Sequence, residues 1–224
     1  KMLSDKGYNL GFKGHIELSE IGKIGPTPVA GNGEFDFSLT GIYPKIFYTF
    51  KANLNHAEYL GLSLGNAKGT IIFDSEKDEL RLENLIAQQG NTEMKANGSV
   101  DMGDSSAINL KVDALNATVS DFAQYFKSYI DRSIPWYPYE LSGKLGGNFT
   151  VTGKTDLNYL NIVGNLELKL VELWGERFDQ IRMRAGLRSN EFFAENVVAR
   201  KRTGFLTGGI KYNLSTGDIA HSLD

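Results

Sequence analysis

Cysteine is absent from this chain of 224 residues, which contains only five prolines and three histidines. Without cysteine the chain has no disulfide, no thiolate nucleophile and no cysteine-ligated metal site. No run of about eighteen apolar residues occurs, so no transmembrane helix is predicted. The start, Lys1-Met2-Leu3-Ser4-Asp5, has no secretory leader pattern. We therefore expect a fragment of a longer protein.

The charge balance is nearly neutral, with 24 Lys and Arg against 27 Asp and Glu and a net charge of −3. A nucleic-acid partner is not expected from such a balance, because binding to phosphates needs a basic surface. Hydrophobic residues make up 41% and charged residues 23% of the chain. This composition predicts a folded chain rather than a disordered one.

Glycine is abundant, with 25 residues, and lies between segments in which apolar and polar residues alternate. The clearest stretch is 141–170, in which every second residue from Leu160 to Leu170 is apolar or glycine. Segments 33–41 and 45–54 alternate in the same way. A period of two is typical of strands with one apolar and one polar face. The chain is therefore predicted to be all-β.

One segment has a different period. Thr118 and Asp121 have the spacing of a helix N-cap and its third helical residue. Val119, Phe122 and Phe126 follow at spacings of three and four, which predicts a short amphipathic helix near residues 119–130.

The strand pattern predicts an elongated, solenoid-like β-sheet. We expect one domain over residues 1–224, with possible subdivisions near 56–66 and 115–140. Residues 8–12 and 15–18 are predicted as two short strands, 56–65 as a link, and the last strand as ending near Leu214. A faint repeat relates residues 82–100 to 194–212, as expected for a sheet that grows by repeated units.

No residue pattern indicates catalysis, a metal ion or a cofactor. His15, His56 and His221 lie in unrelated segments without partners at ligand spacing. The acidic residues between 74 and 79 lack calcium-loop spacing and are predicted to form a hairpin tip. The glycine-rich segment 143–147 lacks the ending of a phosphate loop. We expect no enzymatic activity.

Two further groups have a structural and a functional interpretation. Residues 200–202 (Arg-Lys-Arg), together with Arg182, Arg184 and Arg188, form either a solubilising polar face or a contact for acidic lipid headgroups or an acidic partner. The aromatic residues of 136–139 form either a packing corner or a sugar-stacking site.

The order of these segments resembles a known family. The segments that carry the resemblance are Val112-Asp113-Ala114-Leu115, Asp121-Phe122-Ala123-Gln124-Tyr125-Phe126, Leu141-Ser142-Gly143-Lys144-Leu145, Val151-Thr152-Gly153 and Ile162-Val163-Gly164-Asn165-Leu166-Glu167-Leu168. In the order of these segments the chain is similar to the AsmA-like superfamily of Gram-negative envelope proteins. Within this superfamily it resembles the proteins of the translocation-and-assembly-module type. The resemblance is clearest over residues 60–214.

The resemblance implies a long, curved periplasmic β-sheet that is bent into an open trough with a hydrophobic inner surface, in a protein anchored in the inner membrane. It implies phospholipid transport to the outer membrane, or support of outer-membrane protein assembly. The expected partners are phospholipids or other acyl-chain ligands, and outer-membrane assembly or envelope proteins. We expect that anchor to lie outside this chain.

The alternation predicts one continuous apolar surface, and the resemblance implies that this surface binds lipid. Its residues are Phe35, Phe37, Tyr48, Phe50, Phe149, Val151, Ile162, Leu166, Leu168, Ile181, Met183 and Leu187. A Leu168→Asp substitution is expected to expel lipid without unfolding the domain, because a carboxylate in an open trough stays hydrated. The alternative is a closed β-sandwich or β-solenoid, a structural or adhesin domain without a lipid ligand.

Overall fold

The computed structural model describes residues 7–22, 29–59, 62–103, 106–125, 142–154, 159–173 and 175–223. These residues form one antiparallel sheet of thirteen strands, ordered in space as they are in the chain. The strands are β1 (Tyr8–Glu17), β2 (Val29–Ile42), β3 (Lys45–Tyr59), β4 (Leu62–Asp74), β5 (Glu79–Gln89), β6 (Thr92–Asp101), β7 (Ala107–Thr118), β8 (Ser142–Lys154), β9 (Leu160–Leu173), β10 (Glu176–Arg188), β11 (Glu191–Lys201), β12 (Gly204–Asn213) and β13 (Ile219–Leu223). Two short helices, α1 (Leu18–Gly22) and α2 (Val119–Tyr125), accompany them.

The sheet is open and uncurled, in that its edge strands β1 and β13 do not pair with each other. The predictions of an all-β fold and of an open sheet are confirmed. Pairing continues from β3 to β4 and from β7 to β8, the two places at which a subdivision was considered. The bend into a trough and the single domain over the whole chain stay predictions.

Three details of the strand prediction were wrong. Residues 8–17 form one strand, because Gly14 pairs with Phe35 and does not interrupt the ladder. Residues 56–65 are not a link, since β3 continues to Tyr59 and β4 begins at Leu62. The sheet does not end near Leu214, because β13 adds a further strand beside β12.

The same irregularity occurs in every second strand from β3 to β11, that is in β3, β5, β7, β9 and β11. In each of these strands two apolar residues are three positions apart in sequence. The residue just before the second apolar residue has a positive φ angle. The positive-φ residues are His56, Asn84, Asn116, Leu170 and Asn196, with φ between 49° and 53°. The register shifts next to each of them, as in a β-bulge. The bulges in β5 and β11 lie in the two copies of the faint sequence repeat.

Large apolar side chains lie over glycines of neighbouring strands. The ring of Phe149 covers Gly164, where an added Cβ would come within 2.4 Å of it. Leu85 covers Gly69 in the same way, at 2.3 Å. This arrangement shields backbone that would otherwise face water and partly buries the large side chain. It explains why many apolar residues of a single-layer sheet are half-buried.

Helix α2 begins at the predicted residue. The Asp121 backbone N–H donates to Thr118 Oγ1 at 3.0 Å, so Thr118 is the N-cap. The Asp121 carboxylate accepts the backbone N–H of Asn91 at 3.1 Å and so ties the helix to the β5–β6 turn. The fully buried Tyr125 donates its hydroxyl to the carbonyls of Ala87 and Thr92. Residues 126–130 of the predicted helix lie outside the described residues.

Candidate functional site: the apolar face of the sheet

The register aligns apolar residues of all strands in rows across one side of the sheet, here called the apolar face. The central row contains Phe12, Phe37, Phe50, Ile71, Leu82, Gly98, Leu110, Val151, Ile162, Leu187, Phe192, Tyr212 and Ile219. Each is the direct partner of the next on the adjacent strand. At a strand spacing of about 4.8 Å, twelve intervals give a row of about 58 Å.

All twelve residues of the predicted surface lie on this face. Five are in the central row, namely Phe37, Phe50, Val151, Ile162 and Leu187. The other seven flank it in neighbouring rows: Phe35, Tyr48, Phe149, Leu166, Leu168, Ile181 and Met183. The prediction missed other members of the row, such as Phe12, Ile71 and Phe192. The same alternation would have found them.

The strands at the two ends of the sheet are the most exposed part of the apolar face. Leu10 and Phe12 of β1 are 62% and 56% exposed, and Ile219 of β13 is 55% exposed. The whole chain has an accessible surface of 14097 Å² at a mass of 24.8 kDa. A compact monomer of this mass exposes about 10,200 Å². One open sheet with only two short helices among the described residues agrees with such an excess.

Aromatic side chains cluster on the apolar face of β1 to β4. Phe12 contacts Phe35 and Phe37, with ring centroids 5.7 and 4.9 Å apart. Phe35 stacks on Phe50 at 5.5 Å, and Tyr48 lies 5.9 Å from Phe73 of β4. Offset and edge-on ring pairs of this kind stabilise neighbouring strands while leaving ring faces accessible. This group, called the aromatic cluster below, is the most aromatic part of the face.

The middle of the apolar face is a buried core. Helix α2 contacts β4, β5, β7 and β8, and its Phe122 stacks on Phe149 at 5.7 Å. Beside it lies a buried cluster, called the core cluster below. Its members are Ala114, Ala117, Val119, Leu145, Leu168, Val171, Ile181 and Ala199.

Two predicted surface residues, Leu168 and Ile181, therefore belong to the core cluster, with exposures of 7% and 5%. The open position on which the Leu168→Asp expectation was based is not found, because Leu168 is buried and a carboxylate there would lose its hydration. We now expect this substitution to destabilise the domain, and the outcome stays a prediction. The other ten predicted residues are half-buried.

The opposite side, the polar face, carries paired charges. Arg182 donates to Glu167, and this contact lowers the pKa of the Glu167 carboxyl. Lys201, which alternation puts on the same side as Ala199 at the end of β11, pairs with Glu176 and lowers the pKa of that carboxyl as well. Both of these basic groups thus face carboxylates of adjacent strands. These pairs favour the solubilising interpretation for the residues they involve.

Two other basic residues of the predicted group also have partners. Arg184 lies 3.8 Å from the Glu195 carboxylate. The Arg188 guanidinium lies over the ring of the buried Phe193, 4.7 Å from its centroid. In this position Arg188 shields an aromatic ring on the polar side of β11.

A depression of about 790 Å³ lies beside the bulge of β7. Its polar lining includes Asp113, Asn148, Asn165 and Arg184, which are paired in one row across four strands. Its lining also includes Leu115, Leu166 and Met183, and the last two belong to the predicted surface on the apolar face. The depression therefore combines polar and apolar groups and does not by itself indicate a class of ligand.

The other residues considered from the sequence do not converge. His15 and His56 are exposed on different strands, and His221 lies on β13 opposite Ile210. The hairpin tip after β4 uses its buried Asp74 to accept the N–H groups of Glu76 and Lys77. Among the described residues, no group of three His, Asp or Glu side chains is arranged to hold a metal ion. The aromatic residues of 136–139 lie outside the described residues.

Comparison with protein-family models, with curated proteins and with solved structures gives no significant match. No helix in the described ranges combines the length and the apolarity needed to cross a bilayer.

Proposed function

We propose that the apolar face holds or conducts the acyl chains of phospholipids in a Gram-negative cell envelope. The observation that carries this proposal is the central row, which is apolar or glycine on all thirteen strands and exposed at both ends. Monomers rarely expose contiguous apolar patches above a few hundred Å² without a binding role. An acyl chain on this row would replace water over the exposed side chains of the outer strands, such as Phe12 and Ile219.

The periplasmic location, the inner-membrane anchor of a full-length protein and the traffic between the two membranes rest on the resemblance to the AsmA-like superfamily. Support of outer-membrane protein assembly is the related role that the resemblance also implies. The paired charges of the polar face agree with a side that remains in water while the apolar face is occupied.

The first experiment asks whether acyl lipid accompanies the protein. The chain is purified without detergent, extracted with organic solvent, and the extract is analysed by mass spectrometry. The proposal expects phospholipid at a reproducible ratio to protein. A structural or adhesin domain without a lipid ligand expects none, and that result would reject the proposal.

The second experiment locates the lipid with neighbouring residues of β3. Phe50 lies in the central row, whereas Lys51 is exposed on the polar face. Phe50→Asp puts a charge in the central row, where a bound acyl chain would remove water from it. The cost of this desolvation should lower the amount of bound lipid by about tenfold or more. Lys51→Asp serves as the matched control and should retain lipid. Equal loss in both variants would contradict binding on the apolar face.

Phe50→Asn tests the same position without a full charge, should Phe50→Asp lower stability. Because Phe50 is half-buried and stacks on Phe35, both variants are compared by circular dichroism and urea unfolding before the lipid is measured. Lipid loss in a variant that unfolds at the wild-type urea concentration supports the proposal. Lipid retention in both folded variants contradicts it.

A further inference from the structure

Edge strand β1 is unusually open to association. It has ten residues without a proline, and its second edge has no partner strand among the described residues. Its apolar face is the most exposed part of the aromatic cluster. Edge strands usually avoid pairing by carrying proline, a bulge or charged side chains, lysine above all. β1 as described has no proline and no bulge, and its one lysine, Lys13, lies on the polar face.

The charges of β1 lie on the polar face. Lys13 forms an ion pair with Asp36 of β2 at 2.9 Å, and this contact raises the pKa of Lys13. Glu17 lies at the end of the strand and accepts a hydrogen bond from Ser19. The apolar side therefore presents Tyr8, Leu10, Phe12, Gly14 and Ile16 without any charge.

We propose that β1 pairs with β1 of a second copy of this chain, antiparallel and about a twofold axis at Phe12. This register places Phe12 opposite Phe12, Leu10 opposite Gly14, and Tyr8 opposite Ile16. On the polar side, Lys13 faces Gly11 and His15 faces Asn9. No like charges are opposed directly, whereas a register centred on Lys13 would place Lys13 opposite Lys13 and is disfavoured.

The proposed register repeats a contact that the sheet already makes. Within one copy, Phe35 covers Gly14, which leaves room for a large neighbour on the other side of that glycine. Leu10 of the second copy would occupy this position. A twofold axis perpendicular to the sheet keeps both apolar faces on the same side, so the central row continues from one copy to the next. The interface is a single strand pair and is expected to be weak.

The absence of cysteine makes a direct test simple. In the proposed register, Phe12→Cys puts two thiols opposite each other. In Leu10→Cys, the thiols are displaced by four residues, about 13 Å along the strand. That distance exceeds the Cα separation of about 7 Å at which a disulfide forms. Under mild oxidation, Phe12→Cys should form a covalent dimer and Leu10→Cys should remain monomeric.

A concentration series by analytical ultracentrifugation gives a second, independent measure. The wild-type chain should dimerise reversibly, and Phe12→Lys should shift the monomer–dimer equilibrium by about tenfold or more, since it places a charge on the apolar side of the edge. Ile219→Lys is the matched control on the other edge strand and should dimerise like the wild type. Circular dichroism checks that each variant is folded.

Three results would overturn the proposal. A wild-type chain that stays monomeric at the highest attainable concentration would do so. Equal cross-linking of Phe12→Cys and Leu10→Cys would show unspecific association. Assemblies that grow beyond a dimer and are lost in both Phe12→Lys and Ile219→Lys would show pairing of β1 with β13 instead. Because the proposal does not depend on lipid, it can fail or hold independently of the proposed function.

Discussion

Two leucines of one row allow a stringent test of where the core lies. Leu168 on β9 and Leu206 on β12 belong to the same row of the apolar face, connected through Ile181 and Ala199. Leu168 is 7% exposed and Leu206 is 41% exposed. The same substitution, Leu→Ala, therefore removes the same atoms from a buried and from a partly exposed site.

The expected costs differ because burial and cavity formation differ. Truncation of a buried leucine typically costs about 2–5 kcal/mol, which includes the cavity left behind. Leu168 lies between Leu145 and Ile181 in the core cluster, so it should fall in that range. Leu206 loses a smaller buried area and leaves an open depression instead of a cavity. Its truncation should cost about 1 kcal/mol or less.

Urea unfolding followed by far-ultraviolet circular dichroism measures both costs. The slope is about 1–3 kcal/mol per molar urea and increases with chain length, so for this chain we use a value of about 2.5. Leu168→Ala should then lower the midpoint by about 1 to 2 M at an unchanged slope. Leu206→Ala should shift the midpoint only slightly. If both variants lose the same free energy of unfolding, the core is not centred beside α2 and the reasoning fails.

Three further predictions concern α2 and the bulges. Burial raises the pKa of Tyr125 to about 12, so the stabilisation from its neutral form is complete below pH 10 and is lost as the pH rises towards 12. The urea midpoint of the wild type should therefore fall between pH 9 and pH 11, and in Tyr125→Phe it should fall less. An equal fall in both proteins would contradict this. Thr118→Ala should cost about 1 kcal/mol in urea unfolding through loss of the N-cap, whereas Thr118→Ser should be close to neutral. Leu170→Gly should change the unfolding free energy by less than about 1 kcal/mol, because Leu170 is 70% exposed at a φ of 52°, where glycine is unstrained. A loss above about 2 kcal/mol would show that Leu170 makes contacts that its exposure does not indicate.

Features with a local cause could be predicted from the sequence. The N-cap at Thr118 depends on residues three positions apart, and the structure confirms it. The alternation in segments 33–41 and 45–54 places Phe37 and Phe50 correctly on one face, because the register there is regular. Period two and the glycine-bounded segments were sufficient for the all-β fold.

Features that depend on bulges or on distant packing could not be predicted in this way. Simple alternation puts Leu170 on the same face as Leu168, but the bulge in β9 turns Leu170 to the polar side and returns Val171 to the core. The burial of Leu168 depends on the cluster beside α2, which brings together residues far apart in the chain. Ion pairs such as Arg182–Glu167 depend on the register, which the composition of each strand does not reveal.

The apolar face must both stabilise the sheet and, in the proposed function, receive acyl chains. These two tasks need different zones, because residues that are already buried gain nothing from a ligand. The core cluster beside α2 has its apolar surface covered within the protein, so a charge at Leu168 reports on folding. Phe50 and Phe12 lie outside that cluster and retain accessible surface, so a charge there reports on what the face binds. Any acyl ligand should therefore contact the aromatic cluster of β1 to β4 before it contacts the residues next to α2, and substitutions at Phe50 should reduce lipid binding more than substitutions of equal size at Met183, which packs against the core cluster.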